Sequence, residues 1–193
     1  MKKTILIVTG MSGAGKTQVI NTLQDNGFFC IDNLPLALFS EFLELLATPS
    51  GELGSFVALG LDLREGNLDE KFPEVLELLQ KSGHTTKIIF VDASDDVLLR
   101  RFVETRRPHP LSPKGSVQEG ISTERRRMEF IREKSDYLID TSHFNIHQLR
   151  EEVLRHLETL SLEARMVVNI VSFGFSKGMP PEASLIFDVR FLP

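Results

Sequence analysis

Apolar and polar positions along the chain fall into two alternating rhythms. Compact apolar runs occupy residues 4–9 (Thr-Ile-Leu-Ile-Val-Thr), 28–31, 56–63, 86–93 and 137–141. Their length and near-continuous apolar character predict strands covered on both faces, the condition of a parallel sheet. Between them, apolar residues recur every three or four positions. Val19, Ile20 and Leu23 form the first such face, and Phe39, Phe42, Leu43 and Leu46 the second. Further helices are expected near Phe72–Leu79, over Val97–Val103, over Val117–Lys134 with a thin apolar stripe, and over Asn145–Leu160 with Ile146, Leu149, Val153 and Leu157 turned inward. Asn26-Gly27 ends the first helix, Pro35 can start the second, and Asn145 with Gln148 reads as an N-terminal cap pair. Strand and helix alternate five times, so the expected fold is α/β, with a doubly wound, parallel five-stranded sheet.

The pattern changes beyond Ala164. Met166–Phe173 and Leu185–Phe191 read as β, separated by a glycine- and proline-containing stretch from Gly174 to Pro181. The expected division is a domain over residues 1–161 and a short β-rich extension over 162–193. That extension reads as the start of a second domain or an arm that packs on a partner chain.

The first loop carries the clearest chemistry. Gly10, Met11, Ser12, Gly13, Ala14, Gly15, Lys16 and Thr17 fit G-x-x-x-x-G-K-[ST], between a strand and a helix. Glycines allow backbone N–H groups to turn around a phosphate, and the helix N-terminus adds partial positive charge. Lys16 supplies a point charge for β and γ phosphates, and the Thr17 hydroxyl is a hard oxygen ligand for Mg²⁺. This motif refines the expected fold to the P-loop NTPase or nucleoside-monophosphate-kinase-like type, with residues 1–161 as a nucleotide-binding domain.

A second carboxylate for the metal should come from the end of a neighbouring strand. Asp62 and Asp92 both qualify. Asp62 ends the more apolar strand, so Thr17 and Asp62 are the favoured metal pair. Asp32, after the second strand, reads equally as a contact to substrate or metal and as a turn residue. Aspartates 32, 62, 92 and 140 all fall at strand ends, on the rim where such sheets bind ligands.

Composition adds charge to this picture. Net charge is −5, which argues against coating nucleic acid by bulk charge, yet Arg100–Lys134 holds ten Lys or Arg against five Asp or Glu. Arg100, Arg101, Arg106 and Arg107 flank a proline-stiffened Pro108-His109-Pro110 and are expected to close over phosphates; Arg106 and Arg107, with Lys16 and Asp62, are the candidate catalytic residues. His109 reads as an exposed loop histidine. The plain alternative is a solvated basic surface. A single cysteine, Cys30, excludes an internal disulfide and points to a reduced, cytoplasmic setting. No apolar run is long enough to span a membrane.

Several stretches together resemble the RapZ/YvcJ family of nucleotide-binding proteins. They are the phosphate loop, Gly-Phe-x-Cys-x-Asp-Asn-Leu-Pro at Gly27–Pro35, Asp-x-Arg at Asp62–Arg64, Thr-Arg-Arg-x-His-Pro-Leu at Thr105–Leu111, Asp-Thr-Ser at Asp140–Ser142, and the terminal Ser-Phe-Gly-Phe and Phe-Asp-Val-Arg-Phe-Leu-Pro motifs. The resemblance implies ATP and GTP binding with weak hydrolysis. It puts ATP on Gly10–Thr17 and GTP on Asp62, Leu63, Arg64 and Glu65. It also implies an RNase adapter that presents small RNAs to an endoribonuclease. A C-terminal domain tied to RNA and sugar-phosphate binding and to homo-oligomer formation would lie mostly beyond this sequence. Three function classes follow: a regulatory nucleotide-binding module with slow NTPase activity, a small-molecule kinase of the nucleoside-monophosphate type, and a scaffold with a vestigial loop.

Overall fold

The computed structural model describes residues 2–47, 54–62, 68–159, 171–174, 178–179 and 185–188. Five strands, β1 (Thr4–Gly10), β2 (Phe29–Ile31), β3 (Phe56–Gly60), β4 (Thr85–Asp92) and β5 (Tyr137–Asp140), form one sheet in the order β2-β3-β1-β4-β5. Every pairing is parallel. The central strand explains its own composition: Ile5, Leu6, Ile7 and Val8 are fully buried, because β1 has a strand on each side and helices on both faces. Each such side chain contributes roughly 1.5–3 kcal/mol by leaving water.

Among the described residues, six α-helices connect and cover the strands: α1 (Lys16–Asp25), α2 (Phe39–Ala47), α3 (Leu68–Lys81), α4 (Asp95–Thr105), α5 (Val117–Glu133) and α6 (Ile146–Thr159). The stop of α1 is a Schellman motif. Gly27 has φ 84°, its N–H reaches Gln24 O at 3.1 Å, and the Phe28 N–H reaches Leu23 O at 3.1 Å. Pro35 precedes a 3-10 turn over Leu36–Leu38 that leads into α2. Phe39, Phe42, Leu43 and Leu46 are all buried, as their spacing requires. The cap pair of α6 is reciprocal: Asn145 Oδ1 accepts the Gln148 N–H and Gln148 Oε1 accepts the Asn145 N–H, both at 2.9 Å.

Three expectations change. Helix α3 begins four residues before Phe72, because Leu68 is itself buried and Asp69 and Glu70 suit a positive helix start. Helix α4 runs on to Thr105, so Glu104 and Thr105 are helical. Ile146 is 65% exposed, while Leu149, Val153 and Leu157 are buried. It occupies the first turn of α6, on the solvent side of that turn. The expected C-terminal strands fall mainly outside the described residues; residues 171–174 and 185–188 carry no strand.

Candidate phosphate-binding site

The loop between β1 and α1 is shaped by three glycines at positive φ: Gly10 (134°), Gly13 (82°) and Gly15 (111°). A side chain at Gly10 would overlap the Val91 carbonyl of the adjacent strand. Glycine is thus needed there both for its dihedral and for its close approach to β4.

The loop's carbonyls are engaged by side-chain donors. Lys16 Nζ donates to Gly10 O (2.8 Å) and Met11 O (3.1 Å). Arg101 Nη1 donates to Gly13 O (3.1 Å) and Ala14 O (3.3 Å), and its other nitrogen reaches Thr141 O (2.9 Å). The Thr141 hydroxyl donates to Ala14 O at 2.7 Å. With its carbonyls engaged outward, the loop keeps its amides for the concave side. Among the described residues, the N–H groups of Gly13, Gly15, Lys16 and Thr17 make no intramolecular hydrogen bond. Four such donors at a helix N-terminus form an anion cradle.

Carboxylates stand on the same rim. Asp62, just beyond β3, is 2% exposed, and its Oδ2 lies 3.4 Å from Lys16 Nζ. Asp32, just beyond β2, is exposed, and its Oδ2 accepts a 3.4 Å hydrogen bond from the Thr17 hydroxyl. Its other oxygen rests over Gly60, where a Cβ would come within 2.7 Å. Asp92, at the end of β4, is engaged differently. Arg125 Nη1 contacts both its oxygens at 3.1 Å, Arg132 approaches at 3.5 Å, and the Ala93 N–H donates at 2.8 Å. Of the two aspartates expected to compete for the metal, Asp62 faces the loop lysine and Asp92 is taken up by arginines. Leu63, Arg64 and Glu65 lie outside the described residues.

The basic segment divides in the same way. Arg101 is structural, and burial draws its pKa down from the usual guanidinium value. Arg125 also pairs with Asp95, and Arg127 makes two 2.6 Å bonds to Asp69. Arg100 is exposed and 4.0 Å from Glu104. Arg106 and Arg107 are exposed, without an ion pair or side-chain hydrogen bond among the described residues. Of the four arginines expected over the phosphates, Arg101 is thus held by the Gly13, Ala14 and Thr141 carbonyls, while Arg100, Arg106 and Arg107 are exposed.

His109 is the clearest correction, because it is fully buried rather than exposed on its loop. Its ring packs on Phe102 with centroids 4.9 Å apart, and Nε2 lies 3.2 Å from Glu124 Oε2. Glu124, 1% exposed, also takes the Ser12 N–H at 3.0 Å and the Ser12 hydroxyl at 2.7 Å. Sequence reasoning passed over Glu124. The signal was its register: it sits in the apolar stripe of α5 between Ile121 and Met128, where a carboxylate needs buried partners. Cys30 offers no reactive thiol, since burial, and then the Asp32 charge, pushes it up to about 11.

Comparison with known proteins agrees with this architecture. A "Nucleotide-binding protein" of Trichlorobacter lovleyi is 47% identical over 189 residues, covering 98% of this chain and 66% of its own. A protein of the same name from Clostridium kluyveri is 47% identical, covering 97% of this chain and 64% of its own. The chain thus spans just under two thirds of the length of these curated relatives. Among solved structures, shikimate kinase from Acinetobacter baumannii in complex with shikimate superposes with TM-score 0.54 at 18% identity, over 84% of this chain and 97% of that one. The YorR protein of Bacillus subtilis, in complex with phosphorylated GDP, gives 0.56 at 13% identity, over 81% and 97%. These likenesses establish the P-loop kinase-type fold. Residues 3–161 match the model of the RapZ-like N-terminal domain, and the chain belongs to that family.

Proposed function

We propose that residues 1–161 bind a Mg²⁺–nucleoside triphosphate, ATP or GTP, at Gly10–Thr17, and that the protein uses this site for regulation, with slow hydrolysis. The supporting observation is the cradle of four amides whose partner carbonyls are tied back by Lys16, Arg101 and Thr141. Such a loop is organised for an anion before the anion arrives. The names of the relatives agree with this reading.

The residues fit a nucleotide and its metal. Lys16 would leave the Gly10 and Met11 carbonyls for the β and γ phosphates, exchanging neutral acceptors for charged ones. Thr17 and Asp62 would hold Mg²⁺, with Asp32 beside Thr17 on the same rim. Bound Mg²⁺ neutralises phosphate charge. Arg106 and Arg107, exposed and without an ion pair among the described residues, are suited to stabilise the transferring phosphoryl group. The GTP contact at Asp62–Glu65, self-association and the RNase-adapter role with small RNA belong to this proposal on the strength of the family resemblance, the division at residue 161 on the change of pattern beyond it, and a cytoplasmic setting on the single cysteine. Among the described residues no helix is long and apolar enough to cross a membrane.

Thermal melts with Mg-ATP and Mg-GTP test the reading. A hundredfold excess over Kd should stabilise the chain by about 2.7 kcal/mol; no shift with either nucleotide would leave the scaffold reading. A kinase reading draws on one feature, the exposed Asp32 carboxylate beside Thr17, placed to accept a proton from an acceptor hydroxyl. Transfer from ATP to a nucleotide or sugar at about 1–100 s⁻¹ would favour it over regulation.

A further inference from the structure

Ser12 lies between Gly10 and Gly13, two residues at positive φ with little conformational preference of their own. Something outside the loop must fix the peptide between them. That contact is Glu124, seventeen-residue helix α5's one carboxylate in the apolar stripe, with Oε2 on the Ser12 N–H and Oε1 on the Ser12 hydroxyl. Burying a carboxylate is costly unless hydrogen bonds offset it. An apolar residue would fill the same space without that cost, so a purely space-filling role explains the position poorly.

The third donor is His109. Its Nδ1 accepts the Leu111 N–H at 3.2 Å, which leaves the ring proton on Nε2, aimed at Glu124 Oε2. Gly120 makes room for it, since a Cβ there would overlap the imidazole. His109 follows Arg107 by two residues. The arginine-bearing segment and the phosphate loop are therefore anchored on one buried carboxylate.

We propose that Glu124 is a positioning residue for the phosphate-binding loop, and that His109 holds it in that role. By fixing the Ser12 peptide, Glu124 confines the glycine loop to its anion-binding shape. The position rests on the nucleotide reading above only for its effect on affinity; the loop geometry is independent of it.

Isosteric replacement separates shape from charge. In Glu124→Gln, the amide oxygen can stand at Oε2 and accept from Ser12 N–H and His109, while the NH₂ donates to the Ser12 hydroxyl oxygen. Every bond survives without the charge. Glu124→Ala removes them all. His109→Phe keeps a ring against Phe102 but removes the donor.

Two measurements test this on the full chain: amide exchange of Ser12 by NMR in the ligand-free protein, and Mg-ATP titration by calorimetry. Glu124→Ala is expected to expose the Ser12 amide to fast exchange and to weaken Mg-ATP at least tenfold, with the far-ultraviolet circular dichroism of the fold retained. His109→Phe should do the same more weakly, about threefold in affinity, and Glu124→Gln should stay within twofold of wild type on both. Wild-type Ser12 exchange and affinity in Glu124→Ala would overturn the proposal; the same result confined to His109→Phe would overturn the part played by His109. Should Glu124→Ala fail to fold, a Ser12 amide that exchanges freely in the wild-type protein would overturn it instead. If wild type binds no Mg-ATP, the nucleotide reading fails while the exchange arm still decides the positioning role.

Discussion

Strands β3 and β4 flank β1 symmetrically, and each delivers an aspartate to the rim beside the phosphate loop. Their surroundings then diverge. Asp62 is buried beside Lys16, a cation whose other contacts are neutral carbonyls. Asp92 sits among Arg125, Arg132 and the Ala93 amide. The difference arises from α5, which crosses the β4 end of the rim and brings arginines there. No such helix covers Asp62 among the described residues. Asp62, beside the loop lysine, is the proposed metal ligand, whereas Asp92, held by guanidinium groups, fastens a helix. The arginines repeat the lesson. Arg101 and Arg125 are consumed internally, and Arg106 and Arg107 are not.

The largest expected effect breaks the Asp62 side of this comparison at its cation. Lys16→Ala should lower Mg-ATP affinity by on the order of a hundredfold, the loss of one or two charge-assisted hydrogen bonds at about 1.5–3 kcal/mol each. Calorimetric titration checks it, with circular dichroism to show a retained fold. Unchanged affinity would remove the loop as the nucleotide site.

Exchanging the aspartates sharpens the contrast. Asp62→Asn should weaken Mg²⁺-dependent nucleotide binding by roughly tenfold, about 1.4 kcal/mol. Asp92→Asn should leave binding within about twofold while costing about 1–3 kcal/mol of stability, because Arg125 and Arg132 lose their carboxylate. For a chain of this size that is about 2–4 °C of Tm per kcal/mol. The reverse pattern, with Asp92 governing the metal, would undo the assignment.

Among the arginines, Arg101→Ala should lower Tm by removing donors from the Gly13 and Ala14 carbonyls. Arg106→Ala with Arg107→Ala should leave Tm alone and reduce steady-state hydrolysis several-fold more than nucleotide affinity, if they act on the transition state. Equal loss in hydrolysis and binding would make them simple ground-state contacts.

The smallest effect is a pH dependence. The Arg127 hydrogen bonds hold Asp69 below the usual carboxylate value, and the Ser142 hydroxyl does the same for Asp140. A folded pKa below the unfolded value, about 3.9, means stability that is fully present above that value and is lost as pH falls through the folded pKa. The contribution of these two aspartates to melts from pH 7 to pH 3 should therefore be flat to about pH 5 and fall below about pH 4. Asp69→Asn together with Asp140→Asn should flatten the lower limb. Both sites are partly open to water, which keeps the change small.

The elements that were legible were those with strong periodicity or fixed turn chemistry. Continuous apolar runs located all five strands, and Gly10–Thr17 located the loop, because both depend on neighbours in sequence. The errors occurred where burial depends on what another element brings. His109 looked like a loop residue until α5 and Phe102 enclosed it. Ile146 had the right spacing for an inward face, but it opens the first turn of α6 and is exposed there. The four arginines within 100–107 look alike in sequence, and only the contacts of Arg101 with the Gly13, Ala14 and Thr141 carbonyls separate it from Arg106 and Arg107.

By itself, then, the sequence determined an alternating α/β chain, a parallel sheet and a phosphate loop at its first turn, since hydrophobic period and glycine placement are local properties. Tertiary structure alone decided which charges are spent. Strand order set Asp62 and Asp92 on opposite flanks of β1, and the path of α5 brought Glu124, Arg125 and Arg127 against the loop, β4 and α3. Whether a side chain is a tool or a fastener depends on partners more than thirty residues away, and no local pattern records them.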